Sequence, residues 1–278
     1  MMTTSVRTAA GLMATVATLA LGGCEPPGPA DATLQIESVP SPESQAKVST
    51  EGVNALTAKE AAEGWTLLFD GETLEPWRGF KMEGIPFGWS ADEGKIHLRQ
   101  PDRGQGEGEA EEGERADLIT RERYASFDLK LDWAVTPGGN SGVFFHVSED
   151  RERTYHTGPE VQILDDDLHP DGKKPETSAG SNYALHAPSA DVVKPLGEWN
   201  SVRLRVEGDR VTHWLNGTQI VDYRLRTDDW KERVAASKFA SMPGYGLNQS
   251  GHIALQDHGD ELWFRSLRIL VLDPDPEE

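Results

Sequence analysis

Glu160 and Gln162 lie two residues apart in Pro159-Glu-Val-Gln-Ile-Leu-Asp-Asp166. An extended chain therefore puts a carboxylate and a carboxamide on one face, with Leu164, and Val161 and Ile163 on the other. The same parity in Gly251-His-Ile-Ala-Leu-Gln-Asp-His-Gly259 groups His252, Ala254, Gln256 and His258 against Ile253, Leu255 and Asp257. Two such strands in one sheet would floor a polar cleft. A carboxylate among apolar neighbours is costly unless something pairs with it. Glu160 is thus a candidate base, sugar ligand or metal ligand, the structural alternative being an ion pair with Arg203 or Arg265. Gln162 and Gln256 have no acid–base chemistry and suit hydrogen bonding to hydroxyls. The turn Thr136-Pro-Gly-Gly-Asn-Ser-Gly142 delivers Asn140 and Ser141 to a strand over 143–147. There parity sets Val143, Phe145 and Val147 against Phe144 and His146, although Gly-Gly-Asn-Ser-Gly also reads as turn chemistry alone.

His146, His156, His169, His252 and His258 are each most simply structural. A divalent metal held by Glu160, Asp257 and His258 is chemically sensible, yet no short ligand spacing supports it. A retaining glycosidase needs two carboxyl groups about 5–5.5 Å apart, which on a strand means positions i and i+2. The i+2 neighbour of Glu160 is Gln162. Asp166, along the strand, would lie roughly 20 Å away, so a second acid would have to come from another strand.

The elements that must position these residues read as β. From Trp65 onward apolar residues recur with a period of two in short runs separated by Gly, Pro, Asn and Asp. Residues 64–71 give a strand and a turn, and residues 88–98 a hairpin turning at Asp92-Glu-Gly94. Phe127, Leu129, Leu131 and Trp133 alternate with Asp128, Lys130 and Asp132, and Val202, Leu204 and Val206 return through Gly208-Asp209 as 211–217. This spacing predicts an all-β, two-sheet jelly-roll sandwich in a single domain. The acidic, Gly-rich stretch from Arg99 to Asp117 is expected as a mobile surface loop, and Asp228 to Ala240 as one short helix.

The chain has 278 residues, a net charge of −20 and one cysteine. That charge, with no basic cluster, argues against a nucleic-acid partner. Arg7, the apolar run Ala9–Leu21 and Leu21-Gly-Gly-Cys24 read as a signal peptide over 1–23. Its ending resembles the lipobox of bacterial lipoproteins, which implies lipidation of Cys24 and an anchored, extracytoplasmic protein, periplasmic or at the outer membrane. Residues 24–61, rich in Pro, Ser, Ala and acids, read as a disordered tether, with a short helical turn over 55–63. The globular domain is expected over 62–274.

Trp65-Thr-Leu-Leu-Phe-Asp-Gly71 with Trp77, Asn140-Ser-Gly-Val143, Glu160-Val-Gln-Ile-Leu-Asp165, Gly197-Glu-Trp-Asn200, Trp214-Leu-Asn-Gly217 and Gly251–Gly259 followed by Phe264-Arg265 occur in this order. Together they resemble the 3-keto-disaccharide hydrolase domain family over about residues 62 to 271. The resemblance implies a concanavalin A-like jelly roll and activity on 3-keto-glycosides. Its motif positions fall on Asn140, Ser141, Glu160, Gln162, Asp165, Gln256, Asp257 and His258. The Arg99–Asp117 loop and the Asp166–Ala179 stretch depart from the family pattern. A ketone at carbon 3 acidifies the proton at carbon 2, so a single base can form an enolate that expels the group at carbon 1, and water addition would complete a net hydrolysis. Glu160 or His258 is then the expected base, and Asn140, Ser141, Gln162 and Gln256 the ligands of sugar hydroxyls. An enolate also needs a metal ion or preorganised donors. A sugar 3-oxidoreductase would have to supply the substrate. The competing expectations are a non-catalytic carbohydrate-binding module, with Trp77, Trp89 and Trp214 stacking on sugar rings, and an envelope scaffold without a site.

Overall fold

The computed structural model describes residues 52–100 and 114–272. The leader, Cys24, most of the tether and most of the acidic loop fall outside those residues. Among the described residues, thirteen strands carry the fold. The first six are β1 (Thr66–Leu67), β2 (Trp77–Gly79), β3 (Trp89–Asp92), β4 (Lys95–Leu98), β5 (Leu118–Thr120) and β6 (Phe127–Val135). They are followed by β7 (Asn140–Val147), β8 (Glu160–Leu164), β9 (Asn200–Glu207), β10 (Arg210–Leu215), β11 (Thr218–Arg224), β12 (His252–Leu255) and β13 (Leu262–Val271). One sheet runs β11-β10-β9-β6-β13-β4-β3 with β1 also on β13, and the other runs β2-β5-β12-β7-β8. All these pairs are antiparallel. The two faced sheets make the expected concanavalin A-like jelly-roll sandwich.

Period-two burial builds it. Leu129, Leu131 and Trp133 of β6 and Leu204 and Val206 of β9 meet Val143, Phe145, Val161, Ile163, Ile253 and Leu255 from the smaller sheet in one core. Each such side chain contributes roughly 1.5–3 kcal/mol by leaving water. The hairpin between β3 and β4 turns on Glu93 and Gly94, both at positive φ (46° and 76°), as a two-residue turn matched to strand twist requires. The expected helix near the C-terminus is α2 (Asp228–Ala236), capped by the Thr227 side chain; the earlier α1 covers Ala58–Glu63.

Parity fails in β13 at Ser266, where φ is 57° and the register shifts, and again in β7. His146 takes φ 53° and the β7–β12 register shifts there. The His146 ring therefore turns inward against Phe127 and Phe145, while Val147 joins Phe144, Ile119, Ala254 and Phe80 on the outer side. His146 is a core histidine, held down to about 4 by burial.

The packed chain begins inside the stretch assigned to the tether. Asn54 donates to the Gly94 carbonyl and accepts from the Ser266 N–H, and Glu60 is buried between Lys130 (3.1 Å) and Arg268 (2.8 Å). Burial alone would raise the Glu60 carboxyl, but the Thr57 N–H and these two cations outweigh it and hold it down to about 2. Glu60→Gln is expected to lose about 1–3 kcal/mol at neutral pH. A depressed carboxylate stabilises above its unfolded value and loses that effect as pH falls through its folded value. The gap to wild type should therefore close between about 4.5 and about 2, read by thermal unfolding across pH.

Candidate active site

The two chemical strands share the smaller sheet, with β7 between them. Gly142 of β7 stands opposite Gln162 of β8, and its carbonyl accepts the Gln256 N–H. This row therefore has a glycine at its centre, and Glu160 occupies the space. A β-carbon at Gly142 would lie 2.8 Å from Glu160 Cδ and 2.9 Å from Cγ, so the carboxyl leans across β7. Glu160 is 5 % exposed, and among the described residues no group donates a hydrogen bond to its carboxyl. Burial pushes that carboxyl well above the usual range; Lys238 opposes the rise, and Asp117 and Asp171 add to it.

The structural alternative for Glu160 is gone. Arg203 pairs with Asp128 and Arg265 with Asp132, both on the far face of the larger sheet. The other expected residues divide. Asn140 is buried, its backbone N–H donates to Asp260 (3.2 Å), and its amide meets His169 Nε2 (3.4 Å). The Asp171 N–H donates to His169 Nδ1, so a neutral His169 carries its proton on Nε2, which faces the Asn140 amide. Gln256 keeps a buried amide oxygen without a partner. His258 stands half exposed on the loop after β12, 3.8 Å from Asp260 and edge-on to His169.

Ser141 and Gln162 are corrections. Ser141 has no exposed surface; alternation turns it to the Val143 side, where its hydroxyl donates to the Gln256 carbonyl (2.9 Å). It is a brace between β7 and β12. Gln162 is on the expected face, but its amide donates to the Thr177 carbonyl and accepts the Ile163 N–H. Asp165 likewise accepts backbone N–H groups from Gly138 and Asp167 and organises a turn. Nor do Glu160, Asp257 and His258 form a ready set of metal ligands: Asp257 is held by Arg115 (2.8 Å) and the Gly259 N–H. Among the described residues no three His, Cys, Asp or Glu side chains converge in that way. Trp77 and Trp89 are core residues whose indole N–H groups donate to Leu68 and Ala116 carbonyls. Trp214 is covered by Arg203. The stacking platforms expected for a binding module are absent at these three positions.

Sequence reasoning missed Asp117, Asp171, Tyr183 and Lys238. The Asp166–Ala179 stretch folds into two 3-10 turns, Pro170–Lys173 and Pro175–Thr177, and brings Asp171 to the Tyr183 hydroxyl (2.9 Å). The Lys238 ammonium lies over the Tyr183 ring at 4.0 Å. Asp117, one residue before β5, accepts the Asp257 N–H (2.8 Å) and the Thr154 hydroxyl. A Gly-rich acidic run upstream hid Asp117, and only the β5–β12 pairing brings it to Asp257. Taken together, among the described residues the face offers a buried carboxyl without a hydrogen-bond partner, under the charges of Lys238, Asp117 and Asp171, suited to moving a proton on a polyhydroxylated ligand.

A family model described as 3-keto-alpha-glucoside-1,2-lyase-like domain matches residues 64–270. A Bacteroides thetaiotaomicron protein named 3-keto-disaccharide hydrolase is 35 % identical over 235 residues, covering 76 % of this chain and 80 % of its own. A crystal structure from Parabacteroides distasonis, provisionally named glycosyl hydrolase, is similar with a TM-score of 0.71 at 33 % identity, covering 80 % of this chain and 100 % of the other. A second from the same organism, named in the same way, has a TM-score of 0.55 at 26 % identity over 75 % and 99 % of the two chains.

Proposed function

Because the chain belongs to the 3-keto-alpha-glucoside-1,2-lyase-like domain family, with relatives that support a glycoside-cleaving role, we propose that it cleaves 3-keto-glycosides by removing the proton at carbon 2. The observation that carries this reading is Glu160: a buried carboxyl, unpaired among the described residues, in the space left by Gly142. A desolvated carboxylate of raised proton affinity is a stronger base than an exposed one. The carbon 2 proton of a 3-keto sugar is acidic enough for such a base, whereas that of an ordinary glycoside is not. Its i+2 neighbour Gln162 is a clamped amide, so the strand offers no second carboxylate for a retaining mechanism. His258, half exposed and beside Asp260, is the weaker candidate base. Asn140 and Gln256 are left to hold sugar hydroxyls.

The direct test compares purified protein on a 3-keto-glucoside and on the same glucoside before oxidation, both with a chromogenic leaving group. Release from the keto sugar alone is expected, and release from both at similar rates would overturn the reading. The chemistry assigns substrate supply to a sugar 3-oxidoreductase, since the ketone must be made before this step. The leader motif supports anchoring through Cys24 in the cell envelope. Cys24→Ser is accordingly expected to abolish incorporation of labelled fatty acid and to move the protein out of the membrane fraction, as read by fractionation of expressing cells.

A further inference from the structure

A cavity of about 490 Å³ is lined by Phe80, Arg115, Asp117, Thr154, Asp257 and His258, among others. Asp117 and Gly142 belong to rows on the same outer face, with β12 between their strands. Two strand spacings amount to about 10 Å. Both carboxyl groups lean inward, Asp117 toward the Asp257 N–H and Glu160 over Gly142, which leaves roughly 5–10 Å between them. That gap accommodates one sugar ring, whose carbon 2 proton and carbon 1 oxygen are on adjacent atoms.

Resting on the reading above, we infer that Asp117 is the general acid that protonates the departing oxygen at carbon 1. Expulsion of an alkoxide from an enolate is slow unless a proton accompanies it, and Glu160 is occupied as the base. In the first step the bond from carbon 2 to hydrogen breaks, the proton goes to Glu160, and the electron pair enters the enolate with the carbon 3 ketone. In the second step the pair forms the double bond between carbons 1 and 2, the bond from carbon 1 to oxygen breaks, and the Asp117 proton goes to the leaving oxygen. Water then adds hydroxide to carbon 1 and gives its proton to Asp117, while the Glu160 proton returns to carbon 2. Both residues end as they began. Burial, against the hydrogen bonds from Thr154 and Asp257, pushes Asp117 up to about 6, which makes it a better match for proton transfer near neutrality than an exposed aspartate.

Asp117→Asn suits the test because its oxygen can still accept the Asp257 N–H and its amide can donate to Thr154. Wild type and variant are compared on 4-nitrophenyl and methyl 3-keto-glucosides, since nitrophenolate leaves without a proton and methoxide does not. The expected result is a loss of about 10²–10⁴-fold in kcat/KM on the methyl glycoside with the nitrophenyl substrate cleaved within a few-fold of wild type. The same loss on both substrates, or none on the methyl glycoside, removes Asp117 from the role while wild-type turnover keeps the 3-keto reading standing. If the wild-type protein cleaves neither, the reading itself falls and this assignment falls with it.

Discussion

Glu160→Gln is expected to lower kcat on a 3-keto-glucoside by about 10²–10⁴-fold, the range for removing a positioned general base, and to raise stability. Both effects come from one cause. The fold holds the Glu160 carboxyl above its usual range by burying it, so the folded state binds its proton more tightly than the unfolded chain does. Stability from such a group is fully present below the unfolded value, 4.5, and is lost as pH rises through the folded one. Glutamine removes that loss. The variant should match wild type in thermal unfolding below about pH 4 and exceed it at neutrality. Activity loss with an unchanged difference in stability across pH would detach the catalytic role from the buried carboxyl.

Gly142→Ala is expected to cost about 10²-fold in kcat, the penalty of misplacing a catalytic group by about 1 Å, although residue 142 touches no proton in the mechanism. The added methyl would lie 2.9 Å from Glu160 Cγ, closer than packed carbons approach. Gly142 does not need positive φ, so its backbone accepts alanine and the effect falls on the carboxyl. Two variants that disable one group are not additive. Gly142→Ala in the Glu160→Gln background should therefore add little further loss, and a full second factor of 10² would contradict the account.

The sandwich and the face of Glu160 were legible because both rest on period two, which local sequence displays. The alternation of Phe127 to Trp133 against Asp128 to Asp132 became β6, and Glu160 and Gln256 do share a sheet face. Parity also held the correction for Ser141, which alternates with Asn140 and so faces the core. What was not legible depends on contacts distant in sequence. Gln162 faces the expected way, yet its amide is consumed by the Thr177 carbonyl. Asp117 acquires its place only when β5 pairs with β12, across a separation that no local pattern encodes. The left-handed turn of His146 inverted the outcome for Val147, since β-bulges override alternation wherever they occur. Gly142 looked like turn chemistry, and its purpose is the empty space beside it.

The central claim is that the glycosidic bond breaks after loss of the carbon 2 proton, and a 3-keto-glucoside deuterated at carbon 2 tests it most directly. The account predicts slower turnover than for the undeuterated substrate, because the bond from carbon 2 to hydrogen breaks before the glycosidic bond does. Equal rates would mean that the bond is cleaved at carbon 1 directly and would contradict it.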